Sequence, residues 1–235
     1  MGKLTNKTRK KKVGSVKKSV LFVGLIATVF ILSYDCYSFN DGDWQLWNTD
    51  GIEIKLNDRW KIGVEEELRF GDNISEIYYT HTDGGLDLKV TDGLHFGLNY
   101  RQVYEKKEDE WKEENRPHAN ATVKWKLYDL DLSNRSRLEY RMRENKDDEW
   151  RYRDKLTVKF PWKWTDYKIQ PYVADEIFLD FYGEKINRNR LYAGLTSKIF
   201  RHLNVDVFYL WQASKAKVDK WTDYNVMGIK AKVLF

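Results

Sequence analysis

The chain is poor in the residues that cross-link a fold or interrupt a sheet. Cys36 is its only cysteine among 235 residues, so an internal disulfide and a multi-cysteine metal site are excluded. Only three prolines are present, which favours long regular strands because proline has no N–H to donate to a sheet ladder. The chain has one long apolar run, Val20–Ser33, and its mean hydropathy is −0.71. A helical membrane protein is therefore not expected.

The excess of positive charge belongs to the N-terminal segment. The chain has 41 basic and 36 acidic side chains, a formal net charge of +5. Residues 1–38 hold eight of the basic side chains and only one acidic one, Asp35. The remaining residues carry 33 basic and 35 acidic side chains, a net charge of −2. No nucleic-acid partner is expected, because the basic patch that such binding needs is missing.

The N-terminal segment is typical of a secretion signal. A basic stretch ending at Lys18 precedes the apolar run, which is shorter than the roughly 20 residues that a membrane-spanning helix needs. Small residues at Cys36 and Ser38 favour cleavage before Phe39. We therefore predict a signal peptide over 1–38 and a mature domain over 39–235. An uncleaved anchor is the alternative, because the basic region is long.

From Trp44 onward the dominant pattern is the alternation of apolar and polar residues. Trp60, Ile62 and Val64 share one face of a strand, and Lys61 and Glu65 share the other. Such alternation indicates β-strands exposed to different surroundings on their two faces. Its runs of about 10–15 residues exceed usual strand lengths. We predict an all-β fold: an antiparallel up-and-down transmembrane β-barrel of about 10–12 strands. A soluble periplasmic β-sandwich that binds a ligand is the alternative.

Connections and aromatic residues favour a bacterial outer-membrane location. Short turns alternate with longer charged segments, of which 106–114 is expected to be a solvated outer loop. Tryptophans near strand ends, including Trp44 and Trp47, are expected to form girdles at the lipid interfaces. The last strand alternates up to Phe235, a pattern that we expect the barrel-insertion machinery to recognise. Outer-membrane lipid is the other expected partner.

Four segments carry a resemblance to a known family. They are Trp44–Thr49, Lys55–Lys61, Glu65–Phe70 and Leu98–Tyr104. They resemble a bacterial outer-membrane β-barrel family known only as a domain of unknown function, of the DUF2490 type. The resemblance implies the fold and the location, and it carries no activity or catalytic residues.

If the apolar faces meet lipid, the polar faces line the lumen. The residues placed there by alternation are Glu65, Glu67, Arg69, Arg101, Arg135, Arg137, Glu139, Arg141, Arg151, Arg153, Glu176, Arg188 and Arg190. One hypothesis is a network of ion pairs that fills and stiffens the barrel. The other is a narrow, porin-like pore or cavity for small anionic solutes, since arginines outnumber acids here by nine to four.

The sequence contains no motif that predicts catalysis. His81, His95 and His118 are expected to point into the barrel, and no serine is placed beside His81. We therefore predict a protein that is not an enzyme and has no catalytic residues, metal site or cofactor. An outer-membrane enzyme acting on lipids through a Ser–His pair is the alternative.

Overall fold

The fold was examined in a computed structural model, which describes residues 41–107, 110–144, 146–181, 185–217 and 220–235. The predicted signal peptide and its cleavage site lie outside the described residues. Within these ranges no helix is long and apolar enough to cross a membrane.

The described residues form eleven strands in one closed barrel. In chain order they are β1 (Asp43–Lys55), β2 (Trp60–Gly71), β3 (Glu76–Lys89), β4 (Leu94–Lys107), β5 (Glu110–Leu127), β6 (Leu130–Arg143), β7 (Glu149–Lys159), β8 (Gln170–Asp180), β9 (Lys185–Phe200), β10 (Leu203–Lys217) and β11 (Lys220–Leu234). The predicted all-β barrel and its range of strand numbers are confirmed.

Each strand pairs antiparallel with its sequence neighbour, and β1 closes the barrel by pairing in parallel with β11. The closure follows from the odd number of strands, because an alternating chain points its first and eleventh strands in the same direction. The parallel register runs from Asp43 opposite Tyr224 to Glu53 opposite Leu234. The fold thus departs at this one seam from a fully antiparallel barrel.

The connections do not divide into short turns on one rim and long loops on the other. Strands β4 and β5 are separated by residues 108 and 109 only, and their register extends to Lys107 opposite Glu110. The prediction of an outer loop over 106–114 is therefore wrong for most of that segment. Its alternating charges pair along and between strands, as Lys107 does with Glu105 at 2.7 Å, which keeps the hairpin extended. The longest connection, between β7 and β8, lies on the same rim as the two-residue turns that follow β5 and β9.

The alternation of apolar and polar residues in the sequence matches the alternation of exposed and buried side chains in the strands. Apolar side chains such as Val64, Leu98 and Ile229 point outward and are exposed, whereas polar neighbours such as Arg101 and Glu139 are buried in the interior. Trp47 was predicted to join an interfacial girdle, and this is wrong. It lies on the inward face of β1 with Gln45 and Thr49 and is 3% exposed.

Candidate functional site: an arginine-rich lumen

Two cavities lie inside the barrel, and their linings share no residue. The first, the arginine cavity, measures about 180 Å³. It is lined by Arg69, Tyr79, Arg101, Glu105, Lys107, Arg116, Arg141, Arg151, Arg153, Phe178, Arg188 and Arg190. The second, the mixed cavity, measures about 190 Å³. Its charged lining residues are Glu53, Glu65, Asp83, Asp87, Arg135, Arg137, Lys230 and Lys232.

A layer of buried side chains separates the cavities. On β2, β3, β5 and β6 the side chains of Glu67, His81, His118 and Glu139 lie between a residue of the mixed cavity and one of the arginine cavity. On β8, Glu176 is the inward residue next to Phe178 of the arginine cavity, and it shares Arg153 as a hydrogen-bond donor with Glu139. We call these five residues the middle layer. Its members are well shielded from solvent: Glu139 is fully buried and Glu176 is 1% exposed.

Ion pairs hold the middle layer to both cavities. Glu176 Oε1 accepts a hydrogen bond from Arg153 Nη2 at 2.7 Å and one from Arg135 Nη2 at 3.0 Å. Arg153 Nη1 also donates to Glu139 Oε1 at 2.8 Å. One carboxylate thus bridges a lining arginine of each cavity, and the neighbouring strands β6, β7 and β8 are linked on their inward face.

The thirteen residues predicted to line the lumen occupy these three regions. Seven line the arginine cavity, three line the mixed cavity, and Glu67, Glu139 and Glu176 form most of the middle layer. Whether they bind a solute or only support the wall stays a prediction.

The arginine cavity has a large excess of positive charge. Eight arginines and Lys107 face it, whereas Glu105 is the only acidic residue of its lining. Carboxylates behind the lining compensate part of this charge: Arg101 Nη2 lies 2.7 Å from Asp83 Oδ2, and Arg151 Nε lies 2.5 Å from Asp180 Oδ1. The side chain of Arg188 forms no ion pair or hydrogen bond with the described residues. Among the described residues, Arg188 is therefore the lining arginine whose guanidinium group has no carboxylate partner in this confined space.

Aromatic rings position several of these guanidinium groups. Arg69 Cζ lies 3.7 Å from the centre of the Trp47 ring, and Arg190 Cζ lies 4.8 Å from it. Phe178 is 1% exposed, and Arg188 Cζ lies 5.4 Å from its ring centre. Stacking on a ring holds a guanidinium group in place without using its N–H donors. The donors of Arg188 remain available to a ligand, whereas Arg69 Nε donates to Glu67 Oε1 and Arg190 Nε donates to Gln212 Oε1.

Several lumen residues were not predicted from the sequence. Glu114 lies in the segment that was predicted to be a loop, and Arg116 lies just beyond it. No strand face was therefore assigned to either residue. Arg116 Nε donates to Glu114 Oε1 at 2.5 Å inside the barrel. Their alternation with His118 and Asn120 was the available signal, since all four share the inward face of β5.

Comparison with known proteins identifies the family. The family model DUF2490, described as a protein of unknown function, matches residues 44–223. The chain belongs to this family. A search of the curated proteins finds no match. Among solved structures, LpxR from Salmonella typhimurium is similar with a TM-score of 0.45 and 9% identity, covering 74% of this chain and 83% of LpxR.

This neighbour requires one correction. The likeness to LpxR contradicts the prediction that the DUF2490 chain is not an enzyme. That prediction is withdrawn. A likeness at this TM-score and identity assigns no activity to the chain.

Proposed function

We propose that this DUF2490 protein is a bacterial outer-membrane β-barrel that binds small anionic solutes, carboxylates or phosphates, in its arginine cavity. The observation that carries the proposal is the lining of that cavity, nine cationic side chains against one acidic one. Guanidinium groups bind carboxylate and phosphate oxygens through paired N–H donors. Burial strengthens such contacts because less water screens them.

The outward face supports a location in lipid. Leu98 is 71% exposed, and exposed apolar side chains recur on neighbouring strands, among them Ile62, Leu86, Leu156, Leu191 and Ile229. Contact of such an apolar surface with water is unfavourable, whereas its contact with lipid is not. Polar side chains on this face bond to one another: Asp154 Oδ2 accepts hydrogen bonds from Ser136 Oγ at 2.7 Å and from Asn134 Nδ2 at 3.1 Å. This bonding lowers the cost of placing them next to lipid.

The middle layer argues for solute binding over free diffusion through the lumen. Its charged side chains are engaged on both sides, and the cavities on either side have separate linings. A solute entering the arginine cavity meets the middle layer before it reaches the mixed cavity. The arrangement thus favours a closed binding cavity over a narrow pore.

Replacing Arg188 tests the proposal most directly. Purified full-length protein, folded in detergent, is titrated with inorganic phosphate and with succinate in a calorimeter at low ionic strength. We expect Arg188→Gln to weaken binding by about tenfold or more, because a hydrogen bond to a charged group is worth about 1.5–3 kcal/mol. The stability of the fold should change little, since Arg188 has no ion pair or hydrogen bond among the described residues.

Arg59→Gln is the matched control, because Arg59 lies in the turn after β1 and outside both cavity linings. Its binding curve should match that of the unmodified protein. The proposal fails if neither anion binds, or if Arg188→Gln and Arg59→Gln bind equally well.

A further inference from the structure

Strands β2 and β3 place three metal-binding side chains together on the lumen wall. Glu65 lies opposite Asp83 in the register, and His81 occupies the next inward position of β3. Each of the three residues offers a ligand atom, and these atoms all lie within 4.8 Å of one another. The sequence analysis predicted no metal, since Glu65 and the pair on β3 are separated along the chain.

His81 provides an independent sign that a ligand is missing from this place. Its side chain is deeply buried, at 2% exposure, and neither Nδ1 nor Nε2 has a hydrogen-bond partner. Leaving a buried polar group unpaired costs about 1–3 kcal/mol. An imidazole with two unpartnered nitrogens beside two carboxylates is therefore unfavourable unless something binds there.

The two carboxylates each keep one oxygen available. Lys230 Nζ donates to Glu65 Oε2 at 2.7 Å, and Arg101 Nε donates to Asp83 Oδ2 at 2.7 Å. The other oxygens are weakly held: Asp83 Oδ1 accepts a long hydrogen bond of 3.3 Å from Asn99, and Glu65 Oε1 lies 3.7 Å from Arg101 Nη2. The side chains are thus fixed through one oxygen and can coordinate a cation through the second.

Neighbouring Glu67 shows the contrast. Arg69 Nε donates to its Oε1 at 2.6 Å, and Thr49 Oγ1 donates to its Oε2 at 3.0 Å. Both oxygens of Glu67 are therefore engaged by the protein. This distinguishes Glu65 and Asp83 from an acidic residue that only supports the wall.

His118 adds a third unpartnered nitrogen. Its Nδ1 donates to the backbone oxygen of Arg116 at 3.3 Å, so in the neutral imidazole Nε2 carries a lone pair. That Nε2 has no hydrogen-bond partner and lies 3.6 Å from Asp83 Oδ2. A lone pair facing a carboxylate oxygen is repulsive, and a cation bound at Asp83 would relieve this repulsion.

From these contacts we propose that Glu65, His81 and Asp83 form a binding site for a divalent transition-metal cation of the Zn²⁺ class. One imidazole with two carboxylates suits Zn²⁺ and its neighbours better than Ca²⁺, which takes oxygen ligands only. Glu65 and Asp83 line the mixed cavity, which gives the cation a route to the site. Asp87 lines the same cavity and adds negative charge without an ion pair among the described residues.

The site is tested on full-length protein that carries no histidine tag, is folded in detergent and has been freed of metal with a chelator. Co²⁺ serves as a spectroscopic substitute for Zn²⁺, and Zn²⁺ is then added in competition. We expect a visible absorption band from bound Co²⁺, loss of that band on adding Zn²⁺, and a higher midpoint of thermal unfolding with Zn²⁺.

His81→Gln should weaken Co²⁺ binding by at least about tenfold, the scale reported when even outer partners of a metal site are removed. His202→Gln is the control, because His202 lies in the turn between β9 and β10. If His81→Gln does not fold, Glu65→Gln replaces it, since the amide can keep a contact with Lys230. The proposal is overturned if the unmodified protein binds neither metal, if Ca²⁺ competes as well as Zn²⁺, or if the folded variant binds Co²⁺ normally.

Discussion

At the scale of single residues, the middle layer shows how the barrel accommodates charge. Glu139 is fully buried, and its Oε1 accepts hydrogen bonds from Arg153 Nη1 at 2.8 Å and from Arg137 Nη1 at 3.4 Å. Removing water from a carboxylate is costly, so this position is stable only while the guanidinium groups stay beside it. The same dependence holds in reverse for the two arginines.

Replacing Glu139 with leucine should therefore destabilise the barrel by about 3–5 kcal/mol, because buried Arg137 loses its carboxylate partner and Arg153 keeps only Glu176. Urea unfolding in detergent or lipid, followed by tryptophan fluorescence, measures the loss. Asp131→Leu on the same strand is the control: it removes a pair with Lys126 that is largely exposed and worth about 0–1 kcal/mol. If Glu139→Leu and Asp131→Leu lowered the free energy of unfolding equally, the structural importance of the middle layer would be contradicted.

At the level of single residues, the sequence predicted which side chains face the lumen but not how they pair there. Alternation places Glu139 and Arg153 on the inward faces of their strands, because side chains on a strand alternate strictly. It says nothing about which carboxylate meets which guanidinium. The bridge from Glu176 to both Arg135 and Arg153 depends on the relative register of β6, β7 and β8, which the local pattern does not contain.

At the scale of elements, the turns set the lengths of the hairpins. The connection between β5 and β6 is two residues long, and in it Tyr128 adopts a positive φ of 54° while its side chain is 91% exposed. A side chain with a Cβ is strained in this left-handed region, whereas asparagine tolerates it better. The strain brings no compensating contact, since Tyr128 points into solvent.

Tyr128→Asn should stabilise the barrel by about 0.5–1 kcal/mol, an amount on the scale of the strain of one left-handed residue. The midpoint of urea unfolding should rise with an unchanged slope. Tyr167→Asn is the matched comparison, because Tyr167 is exposed but is not among the residues with positive φ. A lower midpoint for Tyr128→Asn would show that the ring makes a contact that matters.

The ends of the strands were predicted less accurately from the sequence than their inward and outward faces. The run of charges over 106–114 looks like solvent-exposed loop by composition, yet β4 and β5 continue through most of it. A highly charged segment indicates contact with water. It does not distinguish a loop from the end of a hairpin, because both are hydrated. Cross-strand ion pairs such as Lys106 with Glu76 decide the conformation, and they join residues far apart in sequence.

At the scale of the whole molecule, the odd number of strands has a topological consequence. Strand β1 begins at the rim near Tyr224, and β11 ends at the opposite rim, where Phe235 N donates to Glu53 O at 2.9 Å. From Tyr224 to Val233 the last strand is paired on both sides, with β10 and with β1. We propose that recognition of this strand by the insertion machinery precedes closure of the β1–β11 seam.

The proposed location in the outer membrane predicts how the whole barrel behaves. In a fractionated Gram-negative host, the protein should remain with outer membranes after urea or carbonate washing. Unboiled samples in SDS should migrate differently from boiled ones, because a closed barrel keeps its backbone hydrogen bonds away from detergent. Recovery in the soluble wash, with identical migration before and after boiling, would place the barrel outside lipid.

The sequence by itself determined the all-β class, the inward and outward faces of most strands, and an interior rich in arginine and glutamate. It could do so because alternation with period two is a local property of a strand between two different environments. Only the tertiary structure decided the parallel seam, the middle layer, the inward position of Trp47 and the grouping of Glu65, His81 and Asp83. These depend on register and on closure of the ring, which bring together residues that no local pattern connects.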